Sequence, residues 1–444
     1  MRDLTVGNEA KLIFKFALPM VLGNLLQQLY HVVDSIIVGN YLGKEALAAI
    51  GASSPIFYAL IAFVIGIGSG ATIIISQYFG AKNIEKVKRA IDTTYIFLFI
   101  ASIIITTIGI FFSEEIFRLL HVEEHIIPLA TDYFNVFMMG MIAFFGFSGT
   151  SSILRGLGDS MTPLYFMVIA TIINIVLDIV FIVVFEWGIS GVAYATLIAQ
   201  ATAFIAGALY LNKKHQIISF NIFKFTFDKE LFTQSLRIGL PTGFQQTFVA
   251  LGIMALIRIV NNFDTDVLAA FTVASRIDAL AAMPALNLAS ALSAFVGQNL
   301  GAQKIDRIKK GLRATLGMAW SISLLVMLVV IFFGEHMIRV FNPDPTFIEH
   351  GTNYLIIVSS FYMVFSTMFV MHGVLRGAGD TLIPMFITLF SLWIIRIPFA
   401  LFLSKHFGVN GIWWAIPIGW SMGLAGSLIY YFTGRWKKIN VIQR

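Results

Sequence analysis

The chain has 444 residues, of which 58% are hydrophobic and only 12% charged. A domain folded in water carries about 25% charged residues, so a soluble enzyme is excluded and a polytopic membrane protein is implied. The net charge of +6 does not point to nucleic acid, because the Lys and Arg residues fall in short loops between apolar spans. The absence of cysteine excludes disulfides, thiolate metal centres and iron–sulfur clusters.

Twelve apolar spans follow in order: 12–39, 47–78, 90–112, 125–150, 161–186, 190–211, 232–262, 267–298, 311–333, 347–373, 381–404 and 410–433. Span one is about 28 residues long, roughly 42 Å of helix, and crosses a hydrocarbon core of about 30 Å with length to spare. It is also too long for a signal peptide. It carries Pro19, which removes a backbone hydrogen bond and favours a kink. Gln27, Gln28 and His31 place polar groups at membrane depth, and Asp34 places a carboxylate there. A charge at that depth costs about 2.5–3.5 kcal/mol on insertion scales.

The loops set the topology. Alternate loops hold Lys82, Lys86, Lys88, Arg89, Arg155, Lys213, Lys214, Lys224, Lys229, Lys304, Arg307, Lys309, Lys310 and Arg376. The opposite set holds only Lys44, Arg118, Arg339 and Lys405. Positive loops stay inside, so both termini are expected in the cytoplasm, with the protein in the plasma (inner) membrane.

The chain is duplicated. Leu154-Arg-Gly-Leu-Gly-Asp-Ser-Met-Thr-Pro163 returns as Leu375-Arg-Gly-Ala-Gly-Asp-Thr-Leu-Ile-Pro384, an offset of 221 residues (375 − 154). Gln77–Lys82 and Gln298–Gln303 match at the same offset, as do Leu47–Ala49 and Leu268–Ala270. Six spans per half return the chain to its starting side, so the halves run parallel about an axis along the membrane normal. The expected fold is all-α: two six-helix lobes, 1–220 and 221–444, around a central cavity. That architecture suits alternating access.

The duplication breaks at its buried charges. Asp34, Asp178 and Thr196 lie at outer depths that agree within roughly 5 Å at 1.5 Å per residue. Asn174, one turn before Asp178, shares its face. Position 255, the counterpart of Asp34, is Ala255, and position 399, that of Asp178, is Phe399. Neither acid is needed merely to build a lobe. Two carboxylates, an amide and a hydroxyl suit a proton or a bare Na⁺; the alternative is a polar network that pins helices together.

The glycine motifs of the basic loops, the six-plus-six repeat, the Leu-Pro-Met…Gln-Gln…Val-Val-Asp-Ser-Ile-Ile-Val-Gly pattern of span one and the Asn-Ile-Val-Leu-Asp pattern of span five resemble the multidrug and toxic compound extrusion (MATE) family. The resemblance covers essentially the whole chain and is nearest to its DinF-like prokaryotic branch. It implies that Asp34 and Asp178 carry the coupling ion with Asn174 and Thr196, that Gln27 lines the substrate cavity, and that the helix kinked at Pro19 bends to empty it. The NorM-like branch places acids in spans seven and ten, where Leu251–Val260 and Tyr354–Gly373 have none.

The remaining signals are weighed one by one. His31, three residues before Asp34, reads as a proton relay in the cavity or a satisfied buried histidine. Arg258, Arg276 and Arg396 lie inside spans with only Asp278 for company, read as ion pairing or snorkelling, or else as an electropositive second lobe. Gly66-x-Gly68-x-Gly70 follows no strand, so it serves close helix approach rather than a dinucleotide. Asp159 and Asp380 are expected to cap the helices after them. With no Walker A sequence, an ion gradient is the expected drive: an antiporter, not an enzyme, exporting lipophilic, mostly cationic small molecules for H⁺ or Na⁺. No cofactor beyond that ion and no nucleic-acid partner is expected, and the chain is expected to act as a monomer in the lipid bilayer. A flippase for lipid-linked oligosaccharide or peptidoglycan precursors is the rival reading, and a membrane enzyme a weaker one.

Overall fold

The computed structural model describes residues 3–214 and 225–439. Lys224 and the expected 220/221 boundary between halves lie outside the described residues. The described elements are helical throughout, as apolar runs of 20 or more residues must be where lipid satisfies no backbone group. The first half holds α1 (Glu9–Tyr41), α2 (Gly43–Gly80), α3 (Ile84–Phe111), α4 (Ser113–Leu119), α5 (Ile127–Met139), α6 (Met141–Gly156), α7 (Met161–Ile179) and α8 (Gly188–Lys214). The second holds α9 (Lys229–Val260), α10 (Thr265–Gly301), α11 (Ile305–Arg339), α12 (Pro345–Ser359), α13 (Tyr362–Gly377), α14 (Leu382–Leu389), α15 (Ile397–Phe407) and α16 (Val409–Phe432).

Among the described residues ten stretches are long and apolar enough to cross a bilayer, and the bent pairs α5–α6 and α12–α13, each taken as one span, bring the number to twelve. The sequence predicts spans four and ten as continuous. Each is instead broken, by 49° and 50°. Gly140 sits at the first break, where a Cβ would lie 3.2 Å from both the Leu197 side chain and the Phe137 carbonyl oxygen. The second break, at Phe361, falls at the repeat offset from it (361 − 140). Spans five and eleven carry π-helical turns, Val180–Val184 and Phe390–Arg396. These do not match in the repeat.

The repeated loops fold alike. Gly158 and Gly379 take left-handed backbone, φ 81° and 90°, and stop α6 and α13. The Asp159 N–H then closes on Leu154 O at 2.8 Å, and the Asp380 N–H on Leu375 O at 2.9 Å. Asp159 caps α7 as expected, accepting from the N–H groups of Met161 and Thr162 at 3.1 and 3.0 Å. Asp380 accepts the Tyr430 hydroxyl.

Two compact units emerge, one from Pro19 to Gly239, the other joining Asp3–Leu18 to the chain from Leu240 on. Each half therefore lends its opening segment to the other unit, and the two changeovers are themselves 221 residues apart (240 − 19). Matched ion pairs fix the exchanged segments. In the second unit Arg307 holds Glu9 at 3.0 Å, and in the first Lys86 holds Glu230 at 3.4 Å; both partners shift by 221 residues. The Leu4 N–H adds a bond to Gln298 Oε1 at 2.9 Å.

The glycines of α2 serve close approach. A Cβ on Gly70 would meet the Ser235 carbonyl oxygen at 2.4 Å, and one on Gly68 the Ser152 hydroxyl at the same distance. Backbone cannot step aside as a side chain can. Gly70→Ala is therefore expected to cost about 1–3 kcal/mol, read as a lower thermal midpoint in detergent. Gly51→Ala, with nothing within 4 Å, should leave the midpoint in place. Equal midpoints for both would refute the packing role.

Candidate functional site

The site lies within the Pro19–Gly239 unit. Its parts follow from helix periodicity. Asn174 and Asp178 stand one turn apart on α7, and both are buried, at 1% and 0% exposure. Tyr30 and Asp34 stand one turn apart on α1, and Thr196 faces them from α8. The packing that aligns these helices is apolar: Ile37, Val38, Phe134, Phe145, Ile182 and Val192 belong to one buried cluster.

The Asp34 and Asp178 carboxyls meet side chain to side chain. The Asn174 carboxamide lies between Asp178 and Thr196. With its nitrogen toward Asp178 it donates to Oδ2 at 3.0 Å, and its oxygen accepts the Thr196 N–H at 3.3 Å. Turned the other way, its nitrogen donates to Thr196 Oγ1 at 3.4 Å. The Thr196 hydroxyl is 3.0 Å from the Tyr30 hydroxyl. The four residues expected from the sequence, Asp34, Asn174, Asp178 and Thr196, thus converge on one cluster.

Two oxygens in it are orphaned. Asp34 Oδ1 and Asp178 Oδ1 are shut off from the surface and accept no hydrogen bond. A buried acceptor without a donor is costly, and two carboxylates in contact repel. A proton shared between them, or a small cation, removes both costs. The residues present therefore fit a coupling ion. Groups of three or more metal-ligating His, Cys, Asp or Glu side chains do not occur among the described residues.

Two residues of the site escaped the sequence reading. Tyr30 bonds Thr196, and Tyr133 of α5 feels the charge of both carboxyls. Tyr30 was findable by its four-residue spacing from Asp34. Tyr133 was findable by its repeat, since Tyr354 lies 221 residues on (354 − 133). Gln27 and His31 are exposed on α1, and neither side chain hydrogen-bonds into the cluster; the His31 ring packs 4.9 Å from Tyr30. Pro19 is buried, and α1 runs through it as helix.

A family model described as MatE matches residues 19–180 and 241–402, once per half. A probable multidrug resistance protein of Bacillus subtilis, YpnP, is 34% identical over 439 residues, covering 99% of this chain and 98% of its own. A probable multidrug resistance protein of Thermotoga maritima, NorM, is 28% identical over 98% of this chain and 94% of its own. Among solved structures, a MATE protein in a bent conformation superposes with a TM-score of 0.90 at 26% identity, over 97% of this chain and 96% of that one. An outward-facing MATE transporter of the MOP superfamily gives 0.89 at 25%, over 97% and 96%.

Proposed function

Because the chain belongs to the multidrug and toxic compound extrusion family, we propose that it exports lipophilic, mostly cationic compounds across the cell membrane in exchange for protons, with Asp34 and Asp178 as the exchange site. The observation that carries this is the contact of two carboxyls with an orphaned oxygen on each. While the pair is charged it attracts a cation; once a proton is loaded it does not. Cargo and proton therefore compete, and the exchange runs if each prefers a different conformation. Asn174 positions Asp178, while Thr196 and Tyr30 hold the α1–α8 side of the cluster. Gln27 and His31, exposed on the same helix, would contact cargo. Pro19 would let α1 bend as the site empties. MATE family transporters are not enzymes, and no reaction step is assigned. Both termini would face the cytoplasm, as the loop charges require, and a single chain, holding both units, would suffice.

The Asn174 amide has an orientation for each ion: with its nitrogen on Asp178 and its oxygen on the Thr196 N–H the carboxyl pair takes a proton, and with its nitrogen on Thr196 Oγ1 its oxygen turns to the carboxyls as a Na⁺ ligand. The relatives' names and the acids of the first unit favour drug export over a precursor flippase. In proteoliposomes, an imposed proton gradient should drive efflux of a cationic dye, and a sodium gradient at equal pH on both sides should not. Efflux on sodium alone would transfer the site to Na⁺.

A further inference from the structure

The second unit carries a charged cluster of opposite design. Asp278 of α10 accepts the Tyr362 hydroxyl on Oδ1 at 2.6 Å and the Tyr354 hydroxyl on Oδ2 at 3.2 Å. Tyr354 is the repeat partner of Tyr133, yet position 57, partner of Asp278, is Phe57. Arg396 ends the π-helical turn Phe390–Arg396, three residues before Phe399, which stands where the first half has Asp178. One unit thus places an acid where the other, one turn away, places a cation.

Ion pairing does not account for that arginine. Its guanidinium senses Asp278 and Tyr354, but among the described residues neither it nor Arg258 nor Arg276 makes an ion pair, and Asp278 is already taken by two tyrosines. Arg396 Nε is shut off from the surface without an acceptor, and no hydrogen bond among the described residues uses its terminal nitrogens. Snorkelling fails on distance. Arg396 is eleven residues from the end of α15, roughly 16 Å at 1.5 Å per residue, beyond the reach of a headgroup phosphate. A half-buried, charged, forked donor whose enclosed Nε has no acceptor is a site for an oxyanion. Nearby Asp278 weakens the hold, which suits a ligand that must be released.

We infer that Arg396 is the residue that receives a carboxylate or phosphate oxygen where the transported compound carries one. This rests on the export reading for its physiological meaning, but binding tests it separately. The probes are rhodamine 110, which carries a free carboxylate, and rhodamine 123, its methyl ester. Their affinities are measured by fluorescence polarisation on the whole protein in phosphatidylcholine nanodiscs. Arg396→Gln is expected to weaken rhodamine 110 about tenfold or more, the loss of one charge-assisted hydrogen bond, and to leave rhodamine 123 within about twofold. Arg396→Lys should restore part of the difference. Retained rhodamine 123 binding shows that the variant is folded, and Asp34→Asn, which should weaken rhodamine 123, reports on the export reading instead. An equal effect on both dyes, or none on rhodamine 110, overturns the inference. So does a rhodamine 110 effect that appears only when phosphatidylglycerol is added, which would assign Arg396 to lipid phosphate.

Discussion

Asp34→Asn and Asp178→Asn should each cut proton-driven efflux of a cationic dye at least about tenfold, within the 5–150-fold span of ordinary coupling energies. An amide keeps the shape of a carboxyl and can donate to the acid that remains, so neither variant leaves a hole or a buried like-charge pair. Folding should survive, even at Asp178, which is fully buried. What is lost is the exchangeable charge. The two changes should not add, because either alone ends the pairing; the double variant should be no slower than the worse single one. Efflux from proteoliposomes, with circular dichroism on the same preparations, checks both statements. Full-rate, gradient-driven efflux in either variant would remove that carboxyl from the coupling step.

Pro19→Ala should separate binding from turnover. Proline has no N–H, so the helix lacks one bond at this position; alanine restores it and stiffens the helix by up to about 3 kcal/mol. Pro19 is also where α1 leaves one compact unit for the other. If α1 must bend there, the variant should bind dye with unchanged affinity, melt at a higher temperature and turn over several-fold more slowly. A raised melting temperature with unchanged turnover would make Pro19 a mere irregularity of the helix.

Much of this architecture is legible in the sequence because lipid leaves few choices. Apolar runs must be helices, and the 221-residue offset of Leu154–Pro163 and Leu375–Pro384 reports the duplication directly. The cluster was legible for a related reason. An acid in a span is expensive, and one absent from the other half cannot be structural filler. What stayed hidden depends on neighbours in space. The bend at Gly140 falls where a Cβ would crowd Leu197 and Phe137, and nothing local distinguishes that glycine from others. The exchange of opening segments shows only when Glu9 is found on Arg307 and Glu230 on Lys86. The three arginines of the second half looked like candidates for pairing with Asp278. Two tyrosines hold it instead: Tyr354 is marked only by its repeat partner Tyr133, and Tyr362, whose counterpart is Met141, carries no such sign.

The most direct test of the exchange at Asp34 and Asp178 is to count protons displaced by cargo. The whole protein in neutral-lipid nanodiscs, in weakly buffered solution with a pH indicator, is titrated with a cationic dye across pH 5–8. Competition for one shared site predicts release of about one proton per dye bound where the pair is loaded, a dye affinity that weakens as pH falls, and no release from Asp34→Asn. Tight dye binding by the unaltered protein with no proton released, and with affinity independent of pH, would contradict it.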